Sequence, residues 1–159
     1  MTAPLIPPWP PIRQALIRQL RSNLVLAEGL LGDWSSGQAP QGTKYPRGVI
    51  SLHYAPSLYD WTGRVVPVGV DVLIWADDEA QASSLYQLAF TTLQDARLTM
   101  AGQTSLSCRA TSDISLPDVN EEGKSVYSVG GVFEIKVAQS NPALGTFVFT
   151  LDATIAPVL

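Results

Sequence analysis

The sequence contains little of what most catalytic, metal-binding and secreted domains rely on: one cysteine, one histidine and few charged residues. Because Cys108 is alone, no disulfide can form within the chain and no cysteine-rich zinc site can be built. A single cysteine at an alternating strand position is most often a small buried apolar group. Charged residues make up 15% of the chain, against about 25% in typical domains. This favours a surface that is partly covered by partners.

Long apolar runs and a secretion signal are missing as well. No run of about 18 apolar residues occurs, so we expect no helix that spans a membrane. The first eleven residues lack a basic segment before an apolar core, and they hold five prolines, at positions 4, 7, 8, 10 and 11. We therefore expect no helical signal peptide and a cytosol-like compartment. At 159 residues the chain is most simply one domain.

The charges are unevenly distributed along the chain. The net charge of −4 argues against general nucleic-acid affinity, which needs clustered Lys and Arg. Residues 1–64 carry six basic and three acidic groups, whereas residues 65–159 carry four basic and eleven acidic groups. This difference is either chance in a small sample or typical of a subunit that stacks or forms a ring with copies of itself.

The clearest local pattern is a long strand that leads directly into a helix. From 64 to 76, apolar residues occupy every second position, which predicts a strand with one buried face: Val66, Val68, Val70, Val72 and Ile74. Asp77, Asp78 and Glu79 then break the alternation. Three acidic residues suit the start of a helix at about 78–97, where they act as caps and dipole partners; a metal site there is the weaker interpretation.

The N-terminal region divides into an arm and a helix. Residues 1–10 form a proline-rich arm that is not expected to be helical, and Trp9 within it is either loose or inserted into a neighbouring surface. Pro11 suits the first turn of a helix, which we predict to run to about Leu31 and to end at Gly32. Its buried stripe is Ile12, Leu16, Leu20, Leu24 and Leu31.

The remaining elements are mostly strands. Residues 33–47 are predicted as a loop and 117–124 as a polar hairpin connection. Strands are predicted at 48–54, 104–112, 125–138 and 146–155. In 104–112 we expect Leu106, Cys108 and Ala110 to face inward, and Ser105 outward. In 125–138, Gly130 and Gly131 suggest a bulge or a sharp twist.

This order of elements predicts an α+β fold, in which two main helices pack on an antiparallel sheet of four to five strands. The predicted domain covers residues 11–139, between the arm (1–10) and a C-terminal extension (140–159). The last strand completes its own sheet or adds to a neighbour's exposed edge.

A search for chemistry finds no convincing site. His53 lies in a predicted strand and no G-x-S-x-G turn accompanies it, so a histidine facing loops or a partner is the better interpretation. The segment from Asp118 to Gly123 partly matches a calcium loop, but the twelfth position is Val129 rather than Glu. Glycine patterns that bind phosphate are absent. We therefore predict no catalytic residue, no cofactor and no metal site.

Taken together, these features resemble the tail terminator or tail completion proteins of long-tailed bacteriophages. The resemblance covers about residues 12–138 and depends on the order and spacing of several weak motifs. They are the opening helix at 12–31, Lys44-Tyr45-Pro46, Asp60-Trp61-Thr62-Gly63-Arg64, the strand end at 70–77, the helix at 80–93, Asp95-Ala96-Arg97-Leu98-Thr99 and Gly131-Val132-Phe133-Glu134-Ile135. The proline arm and the segment after Asn141 depart from the family.

The resemblance implies a structural virion protein rather than an enzyme. Such proteins form a ring, usually a hexamer, that caps the tail tube, ends its growth and meets the head connector or stopper protein while DNA passes through. The location would be the head-proximal end of the tail, after assembly in the host cytoplasm. The candidate lumen or interface residues are Asp77, Asp78, Glu79, Asp118, Glu121, Glu122, Trp9 and Trp61.

Two alternatives remain open at this point. The first is another ring component of the phage neck or a head-completion protein, which shares the size and architecture. The second is a small cytosolic enzyme or ligand-binding domain of the α+β type. Ring formation separates the structural proteins from the second alternative, and capping of purified tube protein separates the tail terminator from the neck component.

Overall fold

A computed structural model of the chain describes residues 9–53, 58–60, 63–100, 103–119 and 123–140. The helices are α1 (Trp9–Arg21), α2 (Leu24–Gly29) and α3 (Glu79–Leu93). The strands are β1 (Trp34–Ser36), β2 (Arg47–His53), β3 (Leu58–Asp60), β4 (Gly63–Ala76), β5 (Thr99–Met100), β6 (Gln103–Val119) and β7 (Ser125–Ser140). No helix within these residues is long and apolar enough to cross a membrane.

The strands form one sheet in the order β1-β2-β4-β7-β6-β5, and β3 pairs with the start of β4. Among the described strands, every pairing is antiparallel except that of β1 with β2, which is parallel. The predicted α+β class is therefore confirmed. The described residues contain more strands than predicted because β1, β3 and β5 are only two or three residues long. β1 lies in the segment predicted as a loop.

The alternation of β4 separates the two faces of the sheet. Its even-numbered residues from Val66 to Ala76 are buried, and β7 continues the same face because Val70 pairs with Phe133 and Val68 with Ile135. All three helices contribute buried residues to this core. The strand prediction is correct here because, among the described residues, helices cover one face and not the other, which imposes a period of two. We call the uncovered side the outer face.

The first helix is shorter than predicted, and this part of the prediction is wrong. α1 begins at Trp9, so the backbone of Trp9 and Pro10 is helical, and it ends at Arg21. Asn23 then adopts an extended conformation and its side chain accepts a hydrogen bond from the Leu26 N–H, which makes it the N-cap of α2. The change of helix axis rotates the apolar stripe, so that Leu26 and Leu30 are buried, whereas Leu24 and Leu31 are exposed.

The acidic residues before α3 include the predicted cap. Asp78 is extended and its Oδ2 accepts a hydrogen bond from the Gln81 N–H at 3.1 Å. The cap satisfies one of the free N–H groups of the first turn. α3 ends at Leu93, before the predicted end at about 97, because Gln94 leaves the helix and Asp95 has a positive φ of 59°.

β6 does not follow the predicted alternation. Its register against β7 shifts between Ser105 and Ser107 and again between Ala110 and Ser112, so each shift adds one unpaired residue. The first bulge turns Leu106 outward to 44% exposure and leaves Ser105 buried, the reverse of the expectation, whereas Cys108 is fully buried as predicted. β6 also continues to Val119, so the first part of the predicted connection at 117–124 is strand.

Of the two predicted possibilities for the glycines of β7, a bulge or a sharp twist, the bulge is not found in the pairing with β4. The pairing of β7 with β4 is regular through Gly130 and Gly131. A Cβ on Gly130 would collide with the backbone of Val72 and Leu73, and one on Gly131 would collide with the Tyr86 hydroxyl and the Ser112 carbonyl oxygen. Glycine is therefore required at both positions because neighbouring groups approach the backbone closely.

Candidate functional site

Two groups of predicted acidic residues lie at the same end of the sheet. In the register, Ala76 of β4 is opposite Tyr127 of β7, which is opposite Pro117 of β6. The turn that carries Asp77 and Asp78 therefore lies at the level of Asp118, which pairs with Val126. We call this region, defined by Asp77, Asp78, Glu79 and Asp118, the acidic end. The sequence alone could not show that Asp118 lies at the level of Asp77 and Asp78, because this depends on how distant strands pair.

The side chains at the acidic end are available to differing degrees. Asp77, Asp78 and Glu79 are exposed, but Asp78 is engaged in capping α3. Arg47, the register partner of Trp75, and Lys124, just before β7, lie at the same level, so the end is not uniformly negative. The described residues contain no group of three metal-ligating side chains, there or elsewhere. The arrangement suits electrostatic interaction with a partner more than the tight binding of an ion.

The other predicted site residues stay predictions. Trp9 is the first residue of α1, and only its backbone is described. Trp61, Glu121 and Glu122 lie outside the described residues. Their expected roles in the lumen or at an interface are therefore neither supported nor opposed by any contact.

Several arginines lie at the opposite end of the sheet, where β4 begins and β7 ends. Arg64 of β4 donates a hydrogen bond to Gln139, its register partner on β7. The Arg18 side chain of α1 donates to the Thr99 carbonyl oxygen of β5 at 3.4 Å. β4 has 14 residues, so about 45 Å separates the two ends.

A groove lies on the surface of α1. It has a volume of about 700 Å³ and is lined by Gln14, Ile17, Arg18, Arg21 and Ser22. Arg21 also forms a bidentate contact with Asp33, with its Nη2 at 2.6 Å from Oδ2. Burial opposes ionisation of Asp33, but the hydrogen bonds from Arg21 and the Trp34 N–H outweigh it, so the pKa lies below its usual value.

Three large apolar side chains on and after α2 are exposed. Leu24 is 72%, Val25 66% and Leu31 67% exposed. They follow the groove in the chain and are close together in sequence. Leu24 and Leu31 belong to the predicted buried stripe, so their exposure is a departure from the sequence-based prediction. The only available sign was the Ser22-Asn23 pair, which suits a helix end and a new N-cap.

The outer face of the sheet carries the single histidine. His53 of β2 contacts Asp71 of β4 through Nε2 and Oδ2 at 2.7 Å, and the two side chains are 53% and 26% exposed. Because Asp71 engages Nε2, that nitrogen is not directed at a serine, as a serine–histidine pair would require. The geometry is that of a surface contact between two strands. Half-exposed apolar residues, among them Leu73, Trp75 and Val132, lie on the same face.

Two buried ionisable groups lie on the helix side of β6. Burial raises the pKa of Cys108 to about 12, and the charge of Asp95 adds to this effect. Burial also raises the pKa of Tyr86 to about 12, together with Asp113, whose Oδ1 accepts a hydrogen bond from the Tyr86 hydroxyl at 3.2 Å. Both groups are neutral near pH 7, so Cys108 is not poised as a nucleophile. This agrees with the predicted role of Cys108 as a small buried group.

Comparison with solved structures identifies similar folds. A chain in the structure of the virion of a native gene transfer agent particle is similar with a TM-score of 0.60 and 19% identity, over 80% of this chain and 94% of that one. Bacteriophage SPP1 gp17 has a TM-score of 0.44 and 14% identity, over 82% of this chain and 89% of that one, which is too low to support an argument. No protein-family model and no curated protein matches the sequence.

The first of these similarities supports the fold described above. The α+β architecture is shared with almost the whole length of a chain in a virion-type particle. The fold that the family resemblance implies is consistent with this neighbour. At 19% identity the comparison shows the shared fold alone.

Proposed function

We propose that this chain is a structural protein of a phage-type virion that forms a ring, hexameric by the family resemblance, at the head-proximal end of the tail. The ring caps the tail tube, ends its elongation and meets the head connector or stopper protein, while DNA passes through the centre. The observation that carries the proposal is the fold similarity to a virion chain over 94% of that chain's length. The protein would assemble in the host cytoplasm and act by binding other proteins rather than by catalysis.

Exposed apolar surface supports a role in assembly. Leu24, Val25 and Leu31 together place three large aliphatic side chains in solvent within eight residues. Clustered apolar residues of this kind mark protein interaction sites more often than isolated ones do. Only 15% of the residues in the whole chain are charged, so few charged groups are available to offset the exposure of these three side chains to water. Contact with neighbouring subunits would remove it from water.

The acidic end supports a lumen through which DNA passes. Carboxylates repel phosphates, whereas Lys and Arg bind them and release counterions. A hole lined by Asp77, Glu79 and Asp118 would let DNA slide without being held. The register places these residues at one level of the sheet, where Asp77, Asp78, Glu79 and Asp118 outnumber Arg47 and Lys124, so a ring of copies would present a band with a net negative charge.

The proposed function is tested by tube growth in vitro. Purified tail tube protein is polymerised with and without this protein, and tube lengths are measured by electron microscopy. We expect shorter tubes of uniform length that carry a ring at one end. As a matched control, Gln38→Ala changes an exposed loop residue and should act as the original protein does. Unchanged tube length with no ring at the ends would contradict the proposal.

The same assay addresses the neighbouring role in the neck. The similar solved structure is that of a whole virion, so its description fits a neck or head-completion ring as well as a tail cap. A protein that binds the head connector but leaves tube length unchanged would belong to the neck. That result would replace the capping role and retain the structural one.

A further inference from the structure

One long strand edge of the sheet is only partly covered. β6 pairs with β7 on one side. On its other side, the described residues cover the first part alone: β5 pairs with Gln103 and Thr104, the Asp95 N–H donates to the Cys108 carbonyl oxygen at 2.8 Å, and the Ala110 N–H donates to the Gln94 side chain at 3.0 Å. In the described part of the chain, no strand pairs with the outer side of residues 112–116. We call these five residues the open edge.

The open edge is flanked by the bulge between Ala110 and Ser112 and by Pro117, but its own five residues carry little protection against pairing with another chain. Natural edge strands are shielded by lysines, prolines, bulges or a covering helix. The side chains within 112–116 are Ser, Asp, Ile, Ser and Leu, so Asp113 is the one charge, and it accepts a hydrogen bond from Tyr86. Pro117 follows directly and has no N–H to donate, which sets a limit to pairing at that end.

The C-terminal segment (146–155) has the sequence of a strand that could fill this edge. Apolar and polar residues alternate in it, with Phe147, Phe149, Leu151, Ala153 and Ile155 in one register. No proline or glycine interrupts it, whereas Gly145 precedes it and Pro157 follows it. An extended segment of this kind pairs with an exposed edge through main-chain hydrogen bonds and gains specificity from every second side chain.

The connection to β7 disfavours pairing within the same chain. Ser112 is opposite Val132, which lies eight residues before Ser140 at the end of β7, or about 26 Å away at ~3.3 Å per residue. The five residues 141–145 span at most about 20 Å, so a strand of the same chain would pair there only if the first residues of 146–155 served as connection instead of pairing. The direct path along β6 is also closed, because β5, Gln94 and Asp95 occupy the edge before the open part. A strand from another copy reaches the open edge from outside and meets neither obstacle.

We propose that residues 146–155 of one copy add as a strand to residues 112–116 of β6 in a second copy, and that this exchange links neighbouring subunits. This exchange would be the contact between subunits of the proposed ring, and it depends on the proposed function for the number of copies joined. Each copy offers one strand and one edge. The contact is therefore head-to-tail, and a rotation that closes it gives a ring.

The test uses full-length variants and a peptide. Leu151→Pro interrupts the donated strand, and Val158→Pro is the matched control beyond it. Ile114→Lys places a charge on the open edge, and Leu106→Lys is its control on the covered part of β6. We expect Leu151→Pro and Ile114→Lys to raise the concentration needed for self-association at least tenfold in sedimentation runs, and both controls to associate as the original chain does.

A labelled peptide of residues 144–157 provides the direct measurement. It should bind the Leu151→Pro variant, whose open edge is vacant, and should not bind the Ile114→Lys variant. Failure of the peptide to bind Leu151→Pro would overturn the exchange. The exchange would also be overturned if the original chain and the Leu151→Pro variant were both monomeric and differed only in thermal stability. A ring that persists in Leu151→Pro would also overturn the exchange, but would leave the proposed ring intact.

Discussion

Gly131 of β7 lies directly beneath the hydroxyl of Tyr86 on α3, so that a Cβ at this position would overlap the Tyr86 hydroxyl oxygen and the Ser112 carbonyl oxygen. The same hydroxyl donates to Asp113 on β6. α3, β6 and β7 therefore meet at one point, where the helix is fixed over the sheet. Gly131 is important here because it has no side chain, which leaves room for the Tyr86 hydroxyl and the Ser112 carbonyl oxygen.

Gly131→Ala should destabilise the fold, because either Tyr86 or the backbone of β6 must shift. Overpacking of this kind costs about 1–3 kcal/mol. Gly69→Ala is the control, since the nearest atom to a Cβ there is the Cβ of His53 at 3.4 Å. Thermal unfolding of both variants checks the prediction. Equal melting temperatures for Gly131→Ala and Gly69→Ala would contradict it.

Asp78→Ala should remove the cap of α3. The Oδ2 of Asp78 accepts a hydrogen bond from the Gln81 N–H, and loss of such a cap costs about 1 kcal/mol, with a range of roughly 0.5–2. At this chain length we expect the melting temperature to fall by about 2–4 °C per kcal/mol. Asp77→Ala removes the adjacent exposed carboxylate and should have a smaller effect. If both variants melt alike, the predicted capping role is wrong.

The free energy of unfolding should fall as pH rises above about 9. Burial raises the pKa of Cys108 from 9.0 to about 12 and that of Tyr86 from 10.0 to about 12. Between about pH 9 and pH 12 the unfolded chain releases these two protons while the folded chain keeps them. The contribution of both groups to the free energy of unfolding is therefore full below pH 9 and is lost towards pH 12. Cys108→Ala should show a shallower fall than the original chain between these limits, measured by urea unfolding. An identical slope would contradict this explanation.

The exposed apolar residues of α2 should matter for assembly and little for folding. Leu24→Ser with Val25→Ser changes two side chains that are 72% and 66% exposed, and surface changes of this kind usually alter stability by no more than about 0.5 kcal/mol. We expect the melting temperature of the double variant to stay near that of the original chain while self-association weakens. Gln87→Ser, which introduces the same residue at an exposed position of α3, is the control. Unchanged self-association would remove this patch from the proposed interface.

The sequence was sufficient for the elements that one simple period governs. The alternation of β4 is visible because helices cover one face along its whole length, and the capping of α3 by Asp78 follows from local chemistry. Cys108 was correctly placed inside for the same reason. In each case the burial of a residue depends on its own position in a regular element. Tertiary contacts then agree with the local pattern.

The prediction failed where a local irregularity changes which face a residue occupies. The kink at Asn23 turns Leu24 and Leu31 into solvent although they match the stripe of α1. The bulge after Ser105 reverses Leu106 and Ser105 in the same way. The proximity of Asp77 to the level of Asp118 could not be predicted either, because the register of β4, β7 and β6 determines it.

The mass of the purified protein in solution shows whether copies of this chain assemble with one another. One chain has a mass of 17.1 kDa. Light scattering over increasing concentration should show a single assembled species of constant mass, at six times the chain mass for a hexamer. A mass that stays at that of one chain at the highest concentration, with no association on added tail tube protein, would contradict the account.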